Sequence, residues 1–182
     1  MISIVGISGS LRRHSFNSGL LLAAGELLPE NASLRIESIA DIPIYNADEE
    51  SANGAPASVS ALQDTISQAD ALIISTPEYN HSIPGVLKNA IDWLSRPPSA
   101  RPRVFGDRPV AMMGTAPGRF GTALAQNALL PVLHSLGMRC WDGRMLLPGA
   151  RDLFDDEGRL HDEEIRQLLK TFVADFVQFV EG

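Results

Sequence analysis

A chain of 182 residues, 45% of them apolar, has the material for one buried core, and its charges are spread rather than blocked, which excludes a disordered protein. The formal net charge of −7 gives a surface that repels nucleic acid and anionic membranes, so neither is an expected partner. The single cysteine, Cys140, permits no internal disulfide and no thiolate metal site. No apolar run approaches the roughly 20 residues that span a bilayer. Met1-Ile2-Ser3-Ile4-Val5 lacks the basic start and long apolar core of a signal peptide, so a cytoplasmic protein is expected.

Short β-branched runs alternate with longer helical patterns. Ile2 to Ile7 reads as a first strand, apolar nearly throughout, as in a strand covered on both faces. Asn17 to Leu28 reads as a helix ended by Pro29, and Ser33 to Ser38 as a second strand with Leu34 and Ile36 alternating with polar residues. Pro56 to Ala69 is helical, with Val59, Leu62 and Ile66 at core spacing, and Ala71 to Ser75 is a third, strongly apolar strand. Pro84 to Arg96 is the clearest helix, with Pro84 suited to a first turn.

A stretch with proline and arginine, Pro97 to Arg108, leads to a fourth strand at Pro109 to Met113. Arg119 to Leu136 reads as a helix that Pro131 kinks or interrupts. Met138 to Leu147 is a fifth strand region. His161 to Val180 is an amphipathic helix with Asp162, Glu163 and Glu164 at its positive end. Five strands alternating with helices predict a parallel sheet with right-handed crossovers, and the order 2-1-3-4-5 is the economical one for one α/β domain spanning residues 1–182. Ligands of such a sheet bind beyond the carboxyl ends of its strands, where the order reverses.

The loop after the first strand, Ser8-Gly9-Ser10-Leu11-Arg12-Arg13-His14-Ser15-Phe16-Asn17, supplies hydroxyls, a glycine, guanidinium groups and a helix start. Free N–H groups and the helix dipole suit an anion, and arginine grips phosphate oxygens bidentately. The alternative is an ordinary polar connection capped by Ser15 or Asn17. A Walker loop would need a lysine that the segment lacks, GxGxxG is absent because Gly6 and Gly9 are not so spaced, and GxSxG fails at Ser10. A monophosphate is the anion left by this elimination. Pro77-Glu78-Tyr79-Asn80-His81-Ser82-Ile83-Pro84 follows the third strand, and its N–H groups and Tyr79 could meet a flat heteroaromatic ring. Tyr79 could equally be a packing residue, and Glu78 a solvated one.

Ser10 to Asn17, together with Pro77 to Asn80 and the continuation Ser82-Ile83-Pro84-Gly85-Val86-Leu87-Lys88-Asn89-Ala90-Ile91-Asp92-Trp93, closely resembles the NADPH-dependent FMN reductase family, which includes bacterial quinone and chromate reductases. The resemblance implies a flavodoxin-like fold with FMN as cofactor and NADPH or NADH as co-substrate. It places Ser10, Arg12, Ser15, Phe16 and Asn17 around the phosphate and ribityl end. Pro77, Glu78, Tyr79 and Asn80 would line the isoalloxazine ring. Gly114 to Gly121 matches the family's flavin-edge loop, with Thr115 where serine is common. Gly121-Thr122 departs from the usual Gly-Gly pair, and Asn127 stands near a usual aromatic.

Flavin N5 exchanges hydride itself, so no catalytic triad is expected and none is visible. The implied activity is ping-pong transfer from NAD(P)H through FMN to quinones, azo compounds, chromate or flavins. The alternative is a flavodoxin-like electron carrier; Arg12 favours the enzyme, because carriers usually hold phosphate with serine and threonine alone. No metal is expected, since His14, His81, His134 and His161 show no ligand spacing, and Asp152 to Glu164, aligned as a calcium loop on Gly158, would begin on Leu153. The helix Pro84 to Arg96 carries Ile83, Leu87, Ile91 and Leu94 but also Val86, Ala90 and Trp93, more than one apolar stripe. That excess predicts a second buried face and a homodimer, with a homotetramer of two such pairs also conceivable; the family resemblance implies a dimer as well.

Overall fold

The computed structural model describes residues 1–182. Its strands are β1 (Ile2–Ser8), β2 (Ala32–Glu37), β3 (Ala71–Ser75), β4 (Pro109–Thr115) and β5 (Arg139–Leu147). All pair in parallel, in the order β2-β1-β3-β4-β5 that the alternation predicts. The helices are α1 (Phe16–Leu27), α2 (Ala47–Asn53), α3 (Ala57–Ser67), α4 (Gly85–Leu94), α5 (Arg101–Val104), α6 (Ala123–Ser135), α7 (Ala150–Leu153) and α8 (Glu163–Glu181). Every residue of β3 and β4 is buried, which explains why both read as unbroken apolar runs rather than alternating ones.

Successive side chains of a strand point to opposite faces, and this divides the core in two. Val5, Ile7, Leu72, Ile74, Val110 and Met112 meet α3, α4 and α6 through Leu62, Ile66, Leu87, Ile91, Leu129 and Leu133. Ile4, Ile73, Ala111 and Met113 meet α1 and α8 through Leu20, Leu21, Leu169, Phe172, Val173 and Phe176. Helices on both faces leave the carboxyl ends of β1, β3 and β4 as the edge where loops are free to hold a ligand.

Several sequence expectations change or gain detail. The helix expected from Arg119 begins at Ala123, because Gly121 turns the chain with φ +57° and the preceding residues form a turn. Pro131 stays inside α6 without ending it. The residue whose carbonyl loses a partner to it, Asn127, is exposed, where water can take that bond. The Pro97–Arg108 stretch holds a 3-10 turn, Pro98–Ala100, and the short helix α5.

Helix α2 was not foreseen, since none of its residues is buried and it has no apolar period. It stands on its caps: Asn46 Oδ1 accepts from Asp48 N at 2.9 Å, and Asp48, Glu49 and Glu50 lie at its positive end. The second stripe of α4 also has another explanation than a partner. Trp93 is 1% exposed within this single chain. Its indole donates to Pro43 O at 2.9 Å, and Tyr45 meets it edge-on at 5.0 Å. Asn89 fastens the same segment, donating to Pro43 O and accepting from Tyr45 N. The excess apolar surface of α4 is thus covered by the connection after β2, so the stripe is no evidence for a dimer.

Glu50 anchors α2 to this connection, accepting from Arg96 Nε at 2.9 Å and Tyr45 Oη at 2.8 Å. The Arg96 hydrogen bond holds its carboxyl below the ordinary carboxylate range. A depressed folded-state pKa contributes stability that is full above the unfolded value, about 4.3, and is lost as pH falls through the lower folded one. Acidification through that window should therefore raise amide hydrogen exchange in residues 43–53 before the sheet responds. Glu50→Gln should show that faster exchange already at neutral pH and lose its acid dependence.

Candidate functional site

Three loops, following β1, β3 and β4, meet at the carboxyl edge where the strand order reverses between β1 and β3. The first, residues 9–15, leads into α1. Gly9 N donates to Ser75 O at 2.8 Å, continuing the β1–β3 ladder into the loop. A Cβ on Gly9 would lie 3.1 Å from Thr76 Oγ1, 3.2 Å from Leu87 Cδ2 and 3.3 Å from Pro77 Cδ. Glycine lets the first loop lie against the second without those neighbours giving way by a few tenths of an ångström.

Ser8 Oγ accepts from Ser18 Oγ at 3.0 Å and from Ser10 N at 3.3 Å, folding the loop onto α1. Ser15 caps α1, its Oγ accepting from Ser18 N at 3.3 Å, so of the two cap candidates in the sequence it is Ser15 that serves. After these bonds, the N–H groups of Leu11, Arg13, His14, Ser15, Phe16 and Asn17 donate to nothing in the chain. Arg12 and Arg13 are exposed and neither has a carboxylate within 4.0 Å, although acidic residues outnumber basic ones 22 to 15. The Arg12 guanidinium lies 5.5 Å from the Phe16 ring centroid, and Phe16 in turn packs on Phe154. Uncommitted N–H groups, hydroxyls and two unpaired guanidinium groups at a helix start form a donor set suited to a phosphate.

Asn17 faces the other way. Buried, it donates through Nδ2 to Thr115 O at 2.9 Å and accepts through Oδ1 from Thr115 N at 3.0 Å and Ser75 Oγ at 3.1 Å. Its amide thus brackets the ends of β3 and β4 to the first turn of α1. Thr115 Oγ1 donates to Leu147 O at 3.0 Å and carries the same tie to β5. The sequence brings these residues to the right edge but does not disclose their partners, which lie far along the chain. Ser75 and Ser18 were missed altogether; the signal available for Ser75 was a hydroxyl ending an otherwise apolar strand.

The second loop is a two-residue hairpin. Tyr79 and Ser82 exchange both backbone hydrogen bonds at 3.0 Å, with Asn80 at φ +49° and His81 at φ +61°. Both central residues of such a turn require positive φ, which asparagine tolerates more readily than histidine. Pro77 is buried at its base, whereas Tyr79 stands 48% exposed at its tip. Glu78 is turned inward: only 11% of its side chain is exposed, and Oε2 accepts from Leu124 N at 2.9 Å and Ala125 N at 3.1 Å. His81 Nδ1 lies 3.6 Å from its other oxygen. In the third loop Phe120, which the sequence reading did not single out, is 77% exposed. Tyr79, Phe120 and Leu124 are large apolar side chains left in water on the second and third loops and the helix they adjoin.

The family model described as NADPH-dependent FMN reductase matches residues 2–151. An NAD(P)H-dependent FMN reductase of Pseudomonas aeruginosa is 44% identical over 170 residues, 93% of this chain and 90% of that protein. A quinone reductase of Pseudomonas putida is 38% identical over 180 residues, 98% of this chain and 95% of its own. The structure of the flavoenzyme NAD(P)H:acceptor oxidoreductase from Paracoccus denitrificans superposes with a TM-score of 0.87 at 35% identity, covering all of this chain and 98% of that one. No helix is long and apolar enough to cross a membrane. With the fold, the loop donors and these relatives in agreement, the chain belongs to the NADPH-dependent FMN reductase family.

Proposed function

We propose that residues 1–182 form one reductase domain, an FMN-dependent NAD(P)H oxidoreductase that works by ping-pong transfer to quinones or similar acceptors. The observation that carries this reading is the uncommitted N–H groups of residues 11 and 13–17, with the unpaired guanidinium groups of Arg12 and Arg13, beside an exposed hairpin at the strand-order reversal. Bound FMN supplies the hydride chemistry. The chain's residues bind and orient it. Ser10, Ser15 and the loop N–H groups would hold the phosphate with Arg12, while Phe16 supports the Arg12 guanidinium from below. Asn17 fixes the distance of α1 from β3 and β4 and so would set where the ribityl end lies.

Pro77, Tyr79 and Asn80 would lie along the ring, with Thr115 at its far edge. The free N–H groups of Glu78 and Asn80 can oppose negative charge on a ring carbonyl. Donor and acceptor would occupy in turn the space bordered by Tyr79 and Phe120. Such an apolar rim suits flat, poorly hydrated acceptors, quinones foremost; azo compounds, chromate and flavins are the other members of the class. Relatives named quinone reductase and 2-hydroxy-1,4-benzoquinone reductase support this acceptor class. A cytoplasmic setting accords with an NAD(P)H donor. Assembly as a homodimer or homotetramer through the 84–96 helix would use its outer face, Lys88, Asp92 and Ser95, beside Pro131 and Val132 of α6. Sedimentation velocity should then give two or four chains, and Asp92→Arg should dissociate them.

Purified protein should be yellow, or take up FMN when it is added, and NADPH or NADH should bleach it without oxygen. Bleaching by dithionite alone would make it a carrier, and failure to bind FMN would sink the reading. Arg12→Ala removes charge-assisted bonds to phosphate, each worth about 1.5–3 kcal/mol, so FMN affinity should fall by roughly 10- to 100-fold. Fluorescence titration of the apoprotein reads this directly, and unchanged affinity would remove Arg12 from the site.

A further inference from the structure

Helix α6 starts without a cap of its own. Thr122, at its N-cap position, makes no capping bond, because its hydroxyl instead accepts from Gln126 Nε2 at 3.0 Å. The first turn nevertheless has partners for two of the N–H groups that every helix start leaves open. Leu124 N and Ala125 N both donate to Glu78 Oε2, at 2.9 and 3.1 Å, from a residue 46 and 47 positions earlier in the chain. A carboxylate at the positive end of a helix is stabilised by both its hydrogen bonds and the dipole.

This cap joins two loops that no other hydrogen bond or ion pair holds together at their tips. Glu78 belongs to the hairpin after β3, whose backbone is held by the Tyr79–Ser82 pair and strained by positive φ at Asn80 and His81. Leu124 follows directly on the loop after β4, which carries the exposed Phe120. The two oxygens of Glu78 divide between the sides: Oε2 takes the helix, and Oε1 faces His81 of its own hairpin at 3.6 Å. Only 11% of the Glu78 side chain is exposed and its Oε2 is committed to the helix, so it is not spread out to meet a ring.

We propose that Glu78 is a positioning residue: by capping α6 from the neighbouring loop, its carboxylate holds the β3 hairpin at a fixed distance from the β4–α6 loop and so sets the slot for the flavin ring and the flat acceptor. The proposal rests on the flavin reading above and revises the role implied for Glu78, from a group lining the ring to one that acts through the two loops on either side of it.

The test compares Glu78→Ala with Glu78→Gln, the latter keeping a carbonyl oxygen that can accept from the same N–H groups. In the apoprotein, amide hydrogen exchange at Leu124 and Ala125 should accelerate about tenfold or more in Glu78→Ala and much less in Glu78→Gln. FMN should bind about tenfold more weakly to Glu78→Ala by fluorescence titration, with Glu78→Gln close to the parent. In flavin-saturated protein the KM for a benzoquinone acceptor should rise more than kcat falls, again with Gln restoring most of the loss. Should Glu78→Ala not fold, Glu78→Asp, one methylene too short to reach the helix, takes its place. Unchanged exchange at Leu124 and Ala125 would overturn the cap. A Glu78→Gln protein as defective as Glu78→Ala in FMN affinity or KM would overturn the positioning role, since the charge would then act directly. Parent protein that binds no FMN would overturn the slot role together with the flavin reading, and the exchange data, recorded without FMN, would tell that failure from a missing cap.

Discussion

A buried primary amide can neither be left unpaired nor be moved cheaply, and the carboxyl edge of this sheet is organised around one. Asn17 spends its carbonyl oxygen on Thr115 N and Ser75 Oγ and an amide hydrogen on Thr115 O. Each bond is worth only about 1 kcal/mol net, but breaking the set strands several buried polar groups at once, at about 1–3 kcal/mol for each. The first turn of α1 therefore has one position relative to β3 and β4. The loop before that turn inherits this rigidity. Its N–H groups can stay uncommitted, because the anchor lies beneath them rather than among them.

The same economy runs through the other two loops. Thr115 extends the bracket to β5, and Glu78 joins the hairpin after β3 to the helix after β4. Polar side chains that a reader of the sequence would aim at a ligand are largely consumed in fixing one loop to another. What faces outward is backbone, Arg12, Arg13, the hairpin tip with Asn80 and His81, and a few apolar side chains such as Phe120. A hydride carrier needs just this division, for its chemistry resides in the bound ring, and the protein has to hold position and exclude misalignment.

The fold was legible where local pattern and tertiary role coincide. β1, β3 and β4 are covered on both faces and announce it by being apolar nearly throughout, and the number of strands and their alternation with helices lead to the strand order. Pattern failed where a distant partner decides. The second stripe of α4 looked like an interface because the Pro43–Tyr45 connection that covers Trp93 lies about 50 residues earlier in the chain. The start of α6 was set too early because composition does not reveal the positive φ of Gly121. The position of the candidate site could be read from its place after three strands. The bonds of Asn17 to Thr115 could not, for they span 98 residues and leave no periodic trace.

Helix α2 marks the other extreme of the molecule. It buries no apolar side chain and is held by its caps and by Glu50. Native proteins open first where few apolar contacts must be broken, so this segment should fray and reform while both halves of the core stay intact. Its opening would release Tyr45 Oη and Arg96 Nε from Glu50, but leave β1, α1 and the bracket of Asn17 untouched. The chain thus separates a flap that can be nicked, lengthened or exchanged from an edge whose geometry admits no slack. Sequence change in this architecture has an inexpensive place to accumulate, beside Arg96 at the end of α4, rather than in the loops where the cofactor site is proposed.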